Sequence, residues 1–170
     1  MPRVFLKTYN VANDAIDINN HVNNLVYLSW MQDVAIQHSD AQGWPMSRYR
    51  ETGGSWVVRS HFIKYVRPGL LGDVISVLTW VCSASQRSSL RKYLFWRERD
   101  RKIIAEAETQ WVFIDLQTGR PCLIPQNVRS AFDIVSEETE ELLRSLYSAA
   151  GGSKNRELVV DLDSIAAIDY

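Results

Sequence analysis

Fourteen consecutive residues, Asp17-Ile18-Asn19-Asn20-His21-Val22-Asn23-Asn24-Leu25-Val26-Tyr27-Leu28-Ser29-Trp30, bring together one carboxylate, four amides and one imidazole. The first half of this run has turn chemistry, because Asn and Asp bond their own backbone and tolerate tight bends. The second half is apolar at helical intervals. The junction between them is where chemistry is possible. The first N–H groups of a helix have no intrahelical acceptor and carry a partial positive charge. They can hold an anion or stabilise a developing oxyanion. A carboxylate one loop-length upstream, Asp17, could attack an acyl carbon or activate water. His21 and the amides beside it could fix substrate and water. The same residue types are also ordinary caps and turn formers, so types and spacing alone leave both readings open.

Such a loop works only if rigid elements hold it. A helix is predicted from Asn23 or Asn24 to Gln42, capped by asparagine and stopped by Gly43 and Pro45. Ser29, Asp33, Gln37 and Asp40 form its polar stripe. Leu25, Leu28, Met31, Val34, Ala35 and His38 lie mostly away from it, so something large must wrap the helix. Val4–Val11 reads as a first strand. Four longer strands are predicted over Ser55–Val66, Asp73–Ser85, Ser89–Arg99 and Lys102–Asp115. Period-two alternation sets Trp56, Val58 and Phe62 on one face of the first of these, with Arg59, His61 and Tyr65 on the other. In the last it sets Ile103, Ala105, Ala107, Trp111 and Phe113 opposite Glu106, Glu108 and Gln110. The short connections imply an antiparallel meander. One long apolar helix and one sheet give an α+β fold in which a curved sheet wraps the helix. Pro125–Phe132 and Ser136–Tyr147 read as short helices. One domain is expected over residues 1–148, followed by a Gly-hinged acidic tail over residues 149–170.

The run D-x-N-x-H-V-N-N-x-x-Y-x-x-W resembles the signature of hot-dog-fold thioesterases. It is most similar to the 4-hydroxybenzoyl-CoA thioesterase family and the related plant-type acyl-ACP thioesterases. His61–Asp73 resembles the family's second strand and its return, and Ser88–Pro125 its last strands. Together these cover Met1 to about Phe132. The resemblance implies a hot-dog fold, with a long central helix wrapped by a curved antiparallel sheet. It implies hydrolysis of an acyl thioester, acyl-CoA or acyl-ACP. It implies no metal and no cofactor beyond the coenzyme A or phosphopantetheine carried by the substrate. It also implies a homodimer or homotetramer, with active sites near the subunit interface.

Site residues follow from the resemblance one by one. Asp17 matches the catalytic aspartate, a nucleophile or a general base for water, ten residues before the matching Tyr27. Tyr27 is then expected to contact substrate. Asn24 falls where the family uses a backbone N–H to polarise the thioester carbonyl. Asn19 and His21 match the Asn and His that orient water and substrate in the acyl-ACP branch. Asn20 stands where the family commonly has glycine, and Asn tolerates left-handed backbone better than most residues. Arg67–Leu71 holds neither the acid nor the cysteine credited to the acyl-ACP branch there. Asp33, near the place of a helical catalytic glutamate in another branch, reads as a solvated helix residue. The alternative is a non-catalytic hot-dog module that binds acyl thioesters or a carrier protein. A hot-dog dehydratase or hydratase is a third reading.

Seven basic residues, Arg87, Arg91, Lys92, Arg97, Arg99, Arg101 and Lys102, meet only Glu98 and Asp100 in the same stretch. They read either as a surface for phosphates or an acidic carrier, with Arg87 and Arg91 as the phosphate candidates, or as a solvated hairpin with local ion pairs. The Glu137–Glu141 acids read as a solvent face. Over 170 residues, 19 basic against 20 acidic side chains leave a net charge of -1. That removes the electrostatic argument for nucleic acid. The apolar runs fall short of the roughly 20 residues of a membrane helix, so no membrane insertion is expected. No apolar leader follows Met1, and a cytoplasmic location is expected. Cys82 and Cys122 read as lone thiols, Cys82 in the core. His21, His38 and His61 are too scattered for a zinc site.

Overall fold

The computed structural model describes residues 3–149, so the glycine hinge and the acidic tail expected beyond them lie outside the described residues. Five strands, β1 (Val4–Asn10), β2 (Gly54–Tyr65), β3 (Val74–Ala84), β4 (Ser88–Arg97) and β5 (Lys102–Asp115), form one antiparallel sheet in the order β1-β3-β4-β5-β2. Helix α1 (Asn24–Ala41) lies across the inner face of the sheet. This is the hot-dog fold. Asn23 caps α1 by accepting from the Leu25 N–H at 2.9 Å. Gly43, at φ 78, closes the helix in the left-handed conformation that glycine adopts freely.

The inner core joins Tyr27, Trp30, Met31 and Val34 of α1 to Ile75 and Val77 of β3, Tyr93 and Phe95 of β4, and Ala105 and Ala107 of β5. The outer face is covered in part by α4 (Glu137–Ala149), whose Leu143 and Tyr147 pack on Leu78, Trp80, Leu94 and Trp96. A third cluster gathers Trp44, Tyr49, Phe113, Ile124 and Val128 at one end of the sheet. It is built by two short helices, α2 (Met46–Glu51) and α3 (Gln126–Arg129). The sequence reads the α2 segment as loop, because six residues carry too little periodicity to show.

Two irregularities change the expected faces. The pairing of β2 with β5 shifts between Val58 and Ser60. A bulge inserts one residue and moves everything after it to the other face. His61, Ile63 and Tyr65 therefore continue the inner face begun by Trp56 and Val58, opposite Thr109, Ala107 and Ala105. Phe62, expected with Trp56, instead points outward and is 64% exposed. A second shift, between Phe95 and Trp96, sets Ile103 opposite Trp96 and into the outer cluster rather than beside Ala105. The acids of α4 are not all solvated either. Glu140 is buried and accepts from Trp80 Nε1 and Lys92 Nζ, pinning the helix to the sheet.

Candidate active site

The loop from Val11 to Asn23 is fastened at both ends to the turn before β3. Val11 N–H donates to the Asp73 carbonyl at 2.9 Å, and Gly72 N–H donates back to Val11 at 3.0 Å. Val22 N–H donates to the Gly69 carbonyl at 2.9 Å, and Asn23 N–H to Ala15 at 2.8 Å. Within this frame the chain makes a tight turn. Asp17 N–H bonds the His21 carbonyl, Asn20 N–H bonds the Asp17 carbonyl, and Ile16 pairs with Val22. Asn20 takes the left-handed conformation at φ 60. Asn supplies here the backbone freedom for which glycine is the usual choice.

The turn orients the Asp17 carboxylate. Its Oδ1 accepts from Asn19 N–H at 2.8 Å and from His21 N–H at 3.3 Å. Among the described residues Oδ2 has no hydrogen-bond partner, and Asp17 is half-exposed. Asn24 is exposed and is the first residue of α1, so its N–H has no intrahelical acceptor. His21 and Asn19 are exposed on the same turn. The arrangement offers one fixed carboxylate with a free oxygen, on the turn that leads into a helix N-terminus. Ile18 and Leu25, 97% and 70% exposed, add apolar surface at its rim.

An ion-pair cluster buried behind the loop sets its position. Asp73 is 3% exposed. It accepts from Leu70 N–H at 2.9 Å, from Arg99 Nε at 2.7 Å, and lies 3.6 Å from Arg97 Nη1. Arg97 also grips Asp100 with two nitrogens, at 2.9 and 2.7 Å, and donates to the Pro68 carbonyl at 2.6 Å. Residues 68–73 are thereby held, and they in turn hold Val11 and Val22. Sequence reasoning missed Asp73 and Gly69 as supports. The usable signal was an acid directly after the Gly72 turn, with two arginines in the facing hairpin.

Several expected site residues stand elsewhere. Tyr27 is 2% exposed, edge-on to Trp30, Tyr65 and Phe95, with its hydroxyl beside Gly69. Burial pushes its pKa up to about 12. It is a core side chain beneath the loop and offers no surface to a substrate. Asp33 is not simply solvated. It accepts from Lys7 Nζ at 2.7 Å, Tyr9 Oη at 2.7 Å and Gln37 Nε2 at 2.8 Å. Burial opposes its ionisation, but these partners prevail and hold its pKa below the ordinary value.

The seven basic residues do not form one surface, because alternate residues of β4 face opposite ways. Arg91 points inward and is 6% exposed, so it cannot serve a surface phosphate site. Lys92 points outward to Glu140, and Arg97 and Arg99 belong to the Asp73 cluster. Arg87 is exposed at the β3–β4 turn, roughly 30 Å along β4 from Arg97, which holds the segment that fastens the Asp17 loop, at about 3.3 Å per residue. Cys82 is half-buried on the outer face, with its thiol pKa raised chiefly by burial. Among the described residues no three His, Cys, Asp or Glu side chains come together as metal ligands, and no helix is long and apolar enough to cross a membrane.

Comparison with known proteins places the chain in a family. The chain is 23% identical over 121 residues to the long-chain acyl-CoA thioesterase FadM of Escherichia coli, covering 69% of this chain and 89% of that protein. It is 22% identical over 155 residues to a chloroplastic palmitoyl-acyl carrier protein thioesterase of Gossypium hirsutum, covering 83% of this chain but only 38% of that protein. The fold matches a 1,4-dihydroxy-2-naphthoyl-CoA thioesterase from Synechocystis with a TM-score of 0.69 at 18% identity, over 75% of this chain and 94% of the other. It matches a hypothetical protein from Staphylococcus aureus, solved in complex with CoA, with a TM-score of 0.71 at 19% identity, over 77% and 82% of the two chains. Residues 11–132, from the first tether of the loop to the end of the third cluster, match the family model, and the chain belongs to the thioesterase-like superfamily, whose reaction class is thioester hydrolysis.

Proposed function

We propose that the chain hydrolyses acyl thioesters at the Asp17 loop, with acyl-CoA as substrate ahead of acyl-ACP. The observation that carries this is the Asp17 carboxylate, fixed by two N–H groups with one oxygen left free, on the turn that leads into the unpaired N–H at the start of α1. In the general-base form, Asp17 takes a proton from water as the water attacks the carbonyl carbon. The carbonyl oxygen becomes an oxyanion, and the Asn24 N–H and the helix dipole stabilise it. Collapse expels the thiolate, which takes the proton from Asp17. In the nucleophilic form, Asp17 attacks the carbonyl carbon and the thiolate leaves as the mixed anhydride forms; water then cleaves the anhydride to the free acid and the Asp17 carboxylate, and the proton released goes to the thiolate. Asn19 and His21 position water and substrate in either form. No metal or added cofactor is assigned, because the helix terminus meets the developing charge.

A second part of the proposal is a homodimer joined along β2. Among the described residues that strand ends the sheet, pairs only with β5, and exposes Val57, Phe62 and Tyr65. An edge of this length with apolar side chains is a template for a second copy.

The test is release of free thiol, trapped by a chromogenic disulfide, across short, long and aromatic acyl-CoAs. Asp17→Asn keeps shape and removes the base. Its kcat is expected to fall by roughly 10²–10⁴, the usual worth of a general base. Wild-type turnover in a folded Asp17→Asn protein would sink the assignment. Absence of thiol release from every CoA ester and every acyl-carrier-protein ester would sink the hydrolase reading.

A further inference from the structure

A cleft opens between the C-terminal half of α1 and the inner face of the sheet, with a cavity volume of about 120 Å³. Its walls are largely apolar and aromatic, with Trp44, Tyr49, Trp56, Trp111 and Phe132 among them. Ser39 and Tyr49 spend their hydroxyls locally: Ser39 Oγ donates to the Trp44 carbonyl at 2.7 Å and lies 2.8 Å from Tyr49 Oη.

One charged group is buried on this wall. Arg91 donates from Nη1 to His38 Nδ1 at 2.8 Å and to Thr79 Oγ1 at 3.3 Å. Both partners are uncharged acceptors, since a His nitrogen that accepts from a guanidinium is not protonated there. Among the described residues no carboxylate lies within ion-pair distance of Arg91, and its Nε and Nη2 make no hydrogen bond. Asp40, the acid on the cleft wall, is exposed to solvent. Burial pulls the guanidinium's pKa down, against the Tyr93 and Tyr49 hydroxyls, yet arginine stays charged. An arginine this deep with no counter-ion among the described residues is unusual, because buried charges are normally paired. The fork it leaves free is the shape that binds a carboxylate through two parallel bonds.

We propose that this cleft binds the carboxylate of an apolar acid, with Arg91 as its counter-ion. Two sources share that chemistry. One is the free acid that a thioester hydrolase releases. The other is the distal carboxylate of a dicarboxylic acyl chain whose thioester end sits at Asp17. From Asn24 to Ala35 and Ser39 the helix rises by roughly 16–22 Å, at 1.5 Å per residue, so only an extended acyl chain would reach. Binding of a free acid through Arg91 is independent of the hydrolase reading; its supply by this chain and the second source rest on that reading.

The test starts with binding, read by the fluorescence of Trp44, Trp56 and Trp111 in the full chain. Dodecanoate is compared with dodecanol, its uncharged match. The expected result is saturable binding of the acid, at least about tenfold tighter than the alcohol. Arg91→Gln should erase that difference while leaving alcohol binding intact, and Arg91→Lys should restore part of it. Equal affinity for acid and alcohol in the wild-type protein overturns the proposal, whether or not the variants fold. Turnover then separates the sources. An Arg91-dependent fall in KM of about tenfold for the CoA ester of dodecanedioic acid over that of dodecanoic acid supports the distal carboxylate. Competitive inhibition by dodecanoate without that preference supports the released acid. If no thioester is cleaved while dodecanoate still binds through Arg91, the hydrolase reading falls and this one stands.

Discussion

Replacing Asp73 by Asn should damage both stability and turnover, although Asp73 touches no reacting atom. The side chain keeps its shape, and the Leu70 N–H keeps an acceptor. What disappears is the negative charge between Arg97 and Arg99. Removing one partner of a buried ion pair costs about 3–5 kcal/mol, because the other charge stays behind in a low-dielectric site. Two features reduce that figure here. Arg97 retains its two-pronged bond to Asp100, and the Arg99 side chain is 53% exposed and can turn to water. A loss of roughly 2–3 kcal/mol remains. At about 2–4 °C per kcal/mol for a chain of this size, Tm should fall by roughly 4–12 °C. Turnover should fall by about tenfold, because misplacing the loop by a fraction of an ångström misplaces Asp17. Thermal denaturation and thiol release measure the two effects. Asp100→Asn is the control, since Asp100 holds Arg97 but bonds nothing between Leu70 and Gly72; it should lower Tm and leave kcat intact. A Tm within about 2 °C of wild type would refute the burial argument. An unchanged kcat would refute the tether.

Further predictions come from other parts of the molecule. Asp33 has a folded-state pKa below its unfolded value near 3.9, so its contribution is present above that pH and is lost as pH falls through the folded pKa. Urea denaturation should show wild type more stable than Asp33→Asn at pH 7, with the gap closing below about pH 4; a gap of constant size would contradict this. Asn20→Gly should keep full turnover and stability, whereas Asn20→Val should cost about 1–3 kcal/mol at φ 60, visible as a lower urea midpoint. Glu140→Ala strands the Trp80 N–H and Lys92 on the outer face and should cost roughly 2–4 kcal/mol. The same change should speed proteolytic cleavage at α4, and unchanged cleavage would argue that Leu143 and Tyr147 alone hold the helix.

What the sequence made legible was local. The Asn23 cap, the left-handed Asn20 and the stop at Gly43 each depend on a few neighbouring residues, and each can be read from them. Strand positions were legible for the same reason. Faces were not, because a bulge is a property of two strands and only one is read at a time. Phe62 and Ile103 moved for that cause. Seven basic residues in a row of sixteen looked like a patch because linear charge density ignores the pleat. Once β4 forms, Arg91 and Lys92 face opposite sides of the sheet. Tyr27 matched a motif and was read as a contact, yet its partners Tyr65 and Phe95 come from strands distant in sequence. The Asp73 cluster was hidden likewise, since its arginines lie more than twenty residues downstream.

The pleat of β4 has an engineering consequence. Ser89 and Arg91 line the cleft and Tyr93 packs against α1, while Leu94 and Trp96 pack against α4 and Lys92 ties it down. One strand thus carries two sets of constraints, interleaved residue by residue. Changes at the odd positions can retune what the cleft accepts while the clamp on α4 keeps the sheet intact. A library confined to Ser89 should therefore vary ligand preference with little spread in melting temperature. A single-residue insertion in the same strand exchanges the two sets and should be lethal to both.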